Sequence, residues 1–349
     1  MSSESSKRIH STMSIPQVQL AGKTVGQMGF GLMQLTWNPS PPPEEQSLAA
    51  MKTAADAGAT AWSTAGFYGN PGDGQSNLKL IRKFFDKYPQ YRDKIVLVVK
   101  GTMDEKIHVR ADDIEWCRNE LKVIREILGP EKDIDVYSPS RLPPNCSDAT
   151  KVQIFKNMAT LQKEGLFKAV GASELSAATL EMVSKVVPIA VVEIEVSLWS
   201  YEQEIQDVIK WSKQHQVPVF CYSPLGRGFL SRKWSRPEDI PDGNFQKYLP
   251  RFQGEAFYEN LKLVDSLDQL SKEKGMKTTQ MALAWVTNLS PYQNIPIPGS
   301  SNSERILENV ESSKVKFSKE DHESIDKVLS SFSFNGGRYM DAMNGLQMQ

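Results

Sequence analysis

The chain has 349 residues, with 41 Lys and Arg against 42 Asp and Glu, a formal charge of −1, and 40% hydrophobic residues. That is enough apolar mass for one large core or two ordinary ones. So even a charge balance argues against nucleic acid or an anionic membrane surface as the main partner. No apolar run reaches the roughly 20 residues that cross a bilayer, and 24% charged with 9% aromatic residues excludes disorder throughout.

The first residues, MSSESSKRIHSTM, are Ser-rich and lack an apolar stretch, so residues 1–17 read as a flexible tail and not as a secretory signal. From there short apolar or β-branched runs alternate with segments of helical period. MGFGLM is the first predicted strand. A helix follows from Glu44 to about Ala57, where Gly58 stops it. AWSTAG and SNLKLIRKFFDKY form the second pair. KIVLVVK, ending at Lys100, and ADDIEWCRNELKVIREIL form the third; the early acids suit that helix's dipole. IDVYS with KVQIFKNMATLQKEG, KAVGAS with AATLEMVSKVV, and AVVEIEVSL with EQEIQDVIKWSKQH continue the rhythm. VPVFCYSP is strand seven. Helices are then predicted over Tyr258–Gly275 and Thr278–Asn288, and NIPIPG with SERILENVES completes the series.

Eight strand–helix units without a long linker predict an α/β fold, a closed (β/α)8 TIM barrel, over residues 18–335 as one domain. A doubly wound sheet would carry a Gly-rich phosphate loop between its first strand and helix. Here GQMGFG precedes or lies within the strand, and no GxGxxG opens a helix. Residues 336–349 read as a weakly structured C-terminal tail. The three cysteines, Cys117, Cys146 and Cys221, are odd in number and scattered, which predicts reduced thiols in a cytoplasmic protein. No pair of the four histidines has metal-ligand spacing, so no metal is expected.

In such barrels chemistry gathers where strands end. Tyr68 follows strand two in a turn-rich loop. A phenol titrates near 10 and becomes a useful acid only beside a cation. Lys100 ends strand three, an ammonium on an otherwise apolar strand. Neighbouring strands would bring the two to one rim; alone, each reads as a loop anchor or a snorkelling strand end. Strand five ends in Ser173-Glu174. Strand six carries Glu193 and Glu195, carboxylates that need donors, which an amide-bearing ligand or a structural salt bridge would supply. Strand seven runs into Tyr222-Ser223-Pro224-Leu225-Gly226-Arg227-Gly228, a flat ring followed by amides suited to phosphate oxygens. After strand eight, Gly299 and Ser300 open a helix whose N-terminus is an anion site, with Arg305 in its first turn and Glu308 and Asn309 beyond.

The series GFGLM, STAGFYG, VVKG, VGASE, the strand-six glutamate, YSPLGRG and IPGSSNSERILEN resembles the aldo-keto reductases in order, over about Val18 to Asn309. GLMQLTW, the strand-six Glu and GGRY (Gly336–Tyr339) make it most similar to the fungal pyridoxal reductases. The resemblance implies NADPH-dependent reduction of a small-molecule carbonyl, pyridoxal to pyridoxine, by a cytoplasmic monomer or weak homo-oligomer. By the same resemblance Tyr68 is the proton donor and Lys100 the residue that lowers its pKa. Ser173, Glu174 and Glu193 would hold the nicotinamide carboxamide, and Tyr222 would stack on the ring. Ser223 to Gly228 would surround the pyrophosphate, Ser300 and Arg305 the adenosine 2′-phosphate, and Glu308 and Asn309 the adenine. Three positions depart from the pattern. The superfamily's usual Asp is Ser63, its usual His is Ser140, and the Glu of pyridoxal reductases is Gly66. Loss of the Asp is expected to leave Lys100 without its anion. Trp37, Phe67 and Trp199 read either as an apolar substrate wall or as ordinary packing, and Ser231–Glu255 as a lid over the cofactor. A secondary-metabolite or aryl carbonyl is the alternative substrate, and an NADPH-binding regulatory subunit with little turnover is the alternative from another class.

Overall fold

The computed structural model describes residues 15–70, 72–343 and 345–349, so positions 1–14 of the expected N-terminal tail lie outside the described residues. The chain opens with a hairpin of β1 (Gln17–Leu20) and β2 (Lys23–Gly26), antiparallel. Its two-residue turn, Ala21-Gly22, has positive φ at both positions (48° and 78°), which matches the twist of the paired strands.

Then come β3 (Phe30–Gly31), α1 (Glu44–Asp56), β4 (Ala61–Ala65), α2 (Ser76–Lys87), β5 (Val96–Gly101) and α3 (Ile114–Leu128). They are followed by β6 (Val136–Pro139), α4 (Asp148–Lys163), β7 (Ala169–Ser173), α5 (Ala177–Val183), β8 (Ile189–Glu195) and α6 (Gln203–His215). The last part holds β9 (Val219–Tyr222), α7 (Gly254–Glu273), α8 (Thr278–Leu289), β10 (Asn294–Pro296), α9 (Ser303–Ser312) and α10 (Lys319–Ser330). β3 to β10 form one eight-stranded sheet in chain order, each strand parallel to the next. The ends of the sheet meet. The Gly29 amide donates to the Pro296 carbonyl at 2.9 Å, and Gly31 to Pro298 at 3.5 Å. At that seam a Cβ on Gly31 would stand 2.6 Å from the Ile297 carbonyl oxygen, so only glycine permits the approach. The fold is a (β/α)8 barrel.

Strand alternation divides the core in two. Ala61, Val96, Val98, Val136, Val191, Phe220 and Ile295 point inward and pack on Val18, Leu20 and Val25 of the hairpin, which closes one end. Outward residues such as Trp62, Leu97, Tyr137 and Ile194 pack under the helices. The inward set is apolar near the plugged end. Continued by the same alternation toward the other end, it reaches Ser63, Lys100 and Glu193.

Residues 336–343 and 345–349, within the stretch 336–349 expected to be weakly structured, instead cross the open end. Tyr339 is buried, and the Gln349 amide donates to the Glu174 carbonyl at 2.9 Å. The stretch expected as a lid folds into short 3-10 turns whose Ile240, Leu249 and Phe252 are buried. Among the described residues no helix is long and apolar enough to cross a membrane.

Candidate active site

β4 and β5 pair in register with Ala65 opposite Lys100, and β6 places Ser138 on the other side of Lys100. Tyr68 lies three residues past β4. Its loop is pinned by Asn77, the second residue of α2, which accepts from Thr64 Oγ1 at 2.6 Å and donates to the Leu32 carbonyl at 2.9 Å. The Asn77 amide also donates to the Tyr68 carbonyl at 3.1 Å. One buried amide side chain thus fixes the loops after β3 and β4 against each other. Tyr68 is set beside Trp37 and Phe67, each with its ring centroid 5.4 Å from the phenol ring. These two aromatics therefore line the side of the phenol. Trp199 does not join them. It is 3% exposed and stacked at 4.0 Å on Phe229, so it is packing beneath the loop after β9.

Lys100 Nζ sits 5.2 Å from the centre of the Tyr68 ring. It donates to Glu193 Oε1 at 2.6 Å and to Ser63 Oγ at 2.7 Å, and Ser63 Oγ donates to Glu193 Oε2 at 2.8 Å. The three side chains close a triangle inside the barrel. Lys100 is therefore not left without an anion by the change to Ser63, contrary to expectation. The carboxylate comes from β8 instead, and Ser63 leaves it room. Glu193 is correspondingly engaged by Lys100 and Ser63. A buried ion pair holds when its remaining lone pairs are also satisfied, as the serine does here. Burial works against the Lys100 ammonium, but Glu193 and then Tyr68 more than offset it, and its pKa is raised. Burial also raises the pKa of Tyr68; Lys100 pulls it down and Glu193 pushes it up. Burial, with Glu193 beside it, outweighs Lys100, so the phenol stays protonated.

Ser173 on β7 is paired with Glu193 in register, and Glu174 follows it at φ 53°. The Glu174 carboxylate accepts from the Tyr222 hydroxyl at 2.9 Å, from the Glu195 amide at 3.3 Å and from Arg338 Nη2 at 3.3 Å. Both of its oxygens are thus engaged by protein groups. The Tyr222 hydroxyl also meets that of Tyr339 at 2.8 Å. Glu195 pairs with Arg227 at 2.8 Å, a structural salt bridge.

The loop Ser223–Gly228 coils through left-handed residues: Ser223 and the consecutive Gly226, Arg227 and Gly228 all have positive φ. At α9 the Asn302 side chain caps the Arg305 amide at 2.9 Å, and Ser300 Oγ accepts from the Asn302 amide at 3.1 Å. Arg305 is exposed beside this turn. Lys233, from the loop after β9, has a lowered pKa, through burial first and the Arg305 charge second. The two charges are thus near enough to act on each other. Glu308 is engaged by Lys277 at 2.7 Å, and Asn309 is half-buried on the same helix.

Sequence reasoning missed Lys233, Asn77, Arg141 and the helix-borne Glu120. Glu120 Oε1 would stand 2.8 Å from a Cβ on Gly66, so a carboxyl from α3 fills the space that glycine leaves.

The chain belongs to the aldo/keto reductase family, whose model matches residues 27–330, and it is an oxidoreductase. It is 31% identical to "Probable pyridoxal reductase 2" of Schizosaccharomyces pombe over 91% of this chain and 96% of that one. A second protein of that organism, named an aldo-keto reductase with NADP(+), is 32% identical over 94% of this chain and 95% of its own. Among solved structures, the glycerol dehydrogenase AKR11B4 of Gluconobacter oxydans shares the fold. Its TM-score is 0.78 at 19% identity, covering 93% of this chain and 98% of that one.

Proposed function

We propose that the chain reduces a small carbonyl with NADPH, and that its substrate is pyridoxal, converted to pyridoxine. The observation that carries this is the protonated Tyr68 phenol beside the buried Lys100–Ser63–Glu193 triangle. When bound, NADPH supplies the hydride. The residues present suit such a cofactor. Arg305 lies in the first turn of α9 beside its capped N-terminus, with the Lys233 charge near enough to be felt, chemistry that fits the extra phosphate of NADP. Ser300 stands in that same turn, and Glu308 and Asn309, further along α9, would hold the adenine. Gly299 and the Ser223–Gly228 loop, with Pro224 and Leu225 in it, offer the approach for the pyrophosphate. Ser173 remains the best side chain for the carboxamide and Tyr222 for the ring face.

Tyr68 donates its proton to the substrate oxygen as negative charge builds there. Lys100 steadies the phenolate left behind, and Glu193 holds Lys100 in place through the change. Trp37 and Phe67 exclude water and take a flat ring against Tyr68. Ser140, buried just past β6 where the superfamily has histidine, would offer its hydroxyl to the substrate oxygen. The names of the fungal relatives support pyridoxal, and the aromatic wall equally suits an aryl aldehyde. NADPH oxidation with pyridoxal against a carbonyl panel tests the reading. Turnover of pyridoxal no faster than nitrobenzaldehyde refutes the vitamin substrate; no turnover of any carbonyl refutes the reductase.

A further inference from the structure

Among the described residues, four basic side chains and three carboxylates stand around the site at the open end of the barrel, and their pairing is uneven. Lys100 has Glu193 at 2.6 Å, Arg227 has Glu195 at 2.8 Å, and Arg338 has Glu174 at 3.3 Å. The fourth cation is Arg141, two residues beyond β6. Its Nη1 donates to the Ser140 carbonyl at 2.6 Å and reaches Ser173 Oγ at 3.4 Å. Among the described residues no carboxylate pairs with it. Of the carboxylates, Glu174 acts on it most, and Glu174 is already held by Arg338 and Tyr222.

With no carboxylate in direct contact, the half-buried Arg141 guanidinium keeps donors to offer an arriving anion. Its place says which ligand brings that anion. Arg141 touches Ser173 on one side, and its charge acts on the Tyr68 phenol on the other. The N-terminus of α9 with Arg305, proposed for a cofactor phosphate, is a different part of the rim. Nor does the oxygen being reduced need a permanent cation here, since its charge is transient and Tyr68 protonates it.

We propose that Arg141 is a specificity-determining residue that binds a fixed negative charge on the substrate. The preferred substrates are then aromatic carbonyls carrying a phenolate or carboxylate beside the carbonyl group. The planar fork of Arg suits such an oxygen pair, with the ring lying against Trp37 and Phe67. The proposal rests on the carbonyl-reduction reading only for the carbonyl; the recognition of the anion stands apart from it.

The test compares 2-carboxybenzaldehyde with benzaldehyde, substrates of one ring and different charge, in wild type, Arg141→Gln and Arg141→Lys. Wild type should favour the charged aldehyde in kcat/KM by about tenfold or more, the scale of a charge-assisted contact. Arg141→Gln should bring that ratio close to one, mainly through KM, with Arg141→Lys between. No preference in wild type, or a ratio preserved in Arg141→Gln, overturns the proposal. So does an equal loss on both aldehydes, which would make Arg141 a structural or transition-state group. A second arm needs no turnover and no variant that folds poorly: calorimetric binding of benzoate and of benzamide to the wild-type chain with NADP+ present. Stronger binding of benzoate upholds the proposal even if neither aldehyde is reduced, in which case only the reductase reading fails. Equal or undetectable binding of the two overturns it.

Discussion

Glu193 on β8 reaches across the barrel to Lys100 on β5, 93 positions earlier, and binds its ammonium at 2.6 Å. The pair makes the lysine a fixed neighbour of Tyr68 and not a free cation. Glu193→Gln keeps the shape and removes the charge. Breaking one partner of a buried pair costs about 3–5 kcal/mol, which denaturant melts would show as a lower midpoint at unchanged slope. With the anion gone, burial still raises the Tyr68 pKa but the added push from Glu193 is lost. The basic limb of the pH–rate profile should move to lower pH; a limb that stays put or rises would contradict this role.

Tyr68→Phe removes the proton and leaves the ring against Trp37. Turnover should fall by roughly a hundredfold or more, the weight of a general acid, while NADPH binding by fluorescence stays near wild type. A variant with full turnover would strip Tyr68 of its part.

Arg305→Ala should weaken NADPH by about tenfold or more and NADH little, the loss of one charge-assisted hydrogen bond. Lys233→Ala should share the effect, since the two cations lie close enough for one to depress the other. Equal losses for both dinucleotides would move the phosphate elsewhere.

Glu120 is a separate titration. Burial raises its carboxyl from the ordinary 4.5 to about 7, against the pull of the Thr102 amide and the Tyr137 hydroxyl. The folded chain therefore holds this proton when the unfolded chain has lost it. Stability is highest below about pH 4.5 for this group and falls as pH rises through about 7. Glu120→Gln should gain on wild type steadily across that window, by up to about 3 kcal/mol. Denaturation midpoints at several pH values would show it. A constant difference would place the ionised carboxylate in the fold at no cost.

The barrel was legible because each strand is short, apolar and β-branched and each helix amphipathic. The opening hairpin was not, since its turn is Ala21-Gly22 and not the usual Asn-Gly. The helix α10 was missed although Ser318 and Asp321 form a capping box at its start. At the site, Tyr68 and Lys100 declared themselves by lying at strand ends. The tie between Lys100 and Glu193 did not, because it crosses the barrel and spacing along the chain carries no sign of it. Trp199 and Phe67 look alike in sequence; only packing separates a buried stack on Phe229 from a ring beside Tyr68. Lys233 and Arg141 are ordinary loop cations until folding brings them to Arg305 and Ser173.

The seam at Gly31 joins the first barrel strand to residues near Pro298. A ribosome must therefore release almost the whole polypeptide before the cylinder can shut, and until then β3 waits with a bare edge. Closure is a late, long-range event, the kind that makes folding slow and invites strangers to pair first. A bulkier residue at position 31 should accordingly show itself in the cell as lost yield before it is seen as altered chemistry.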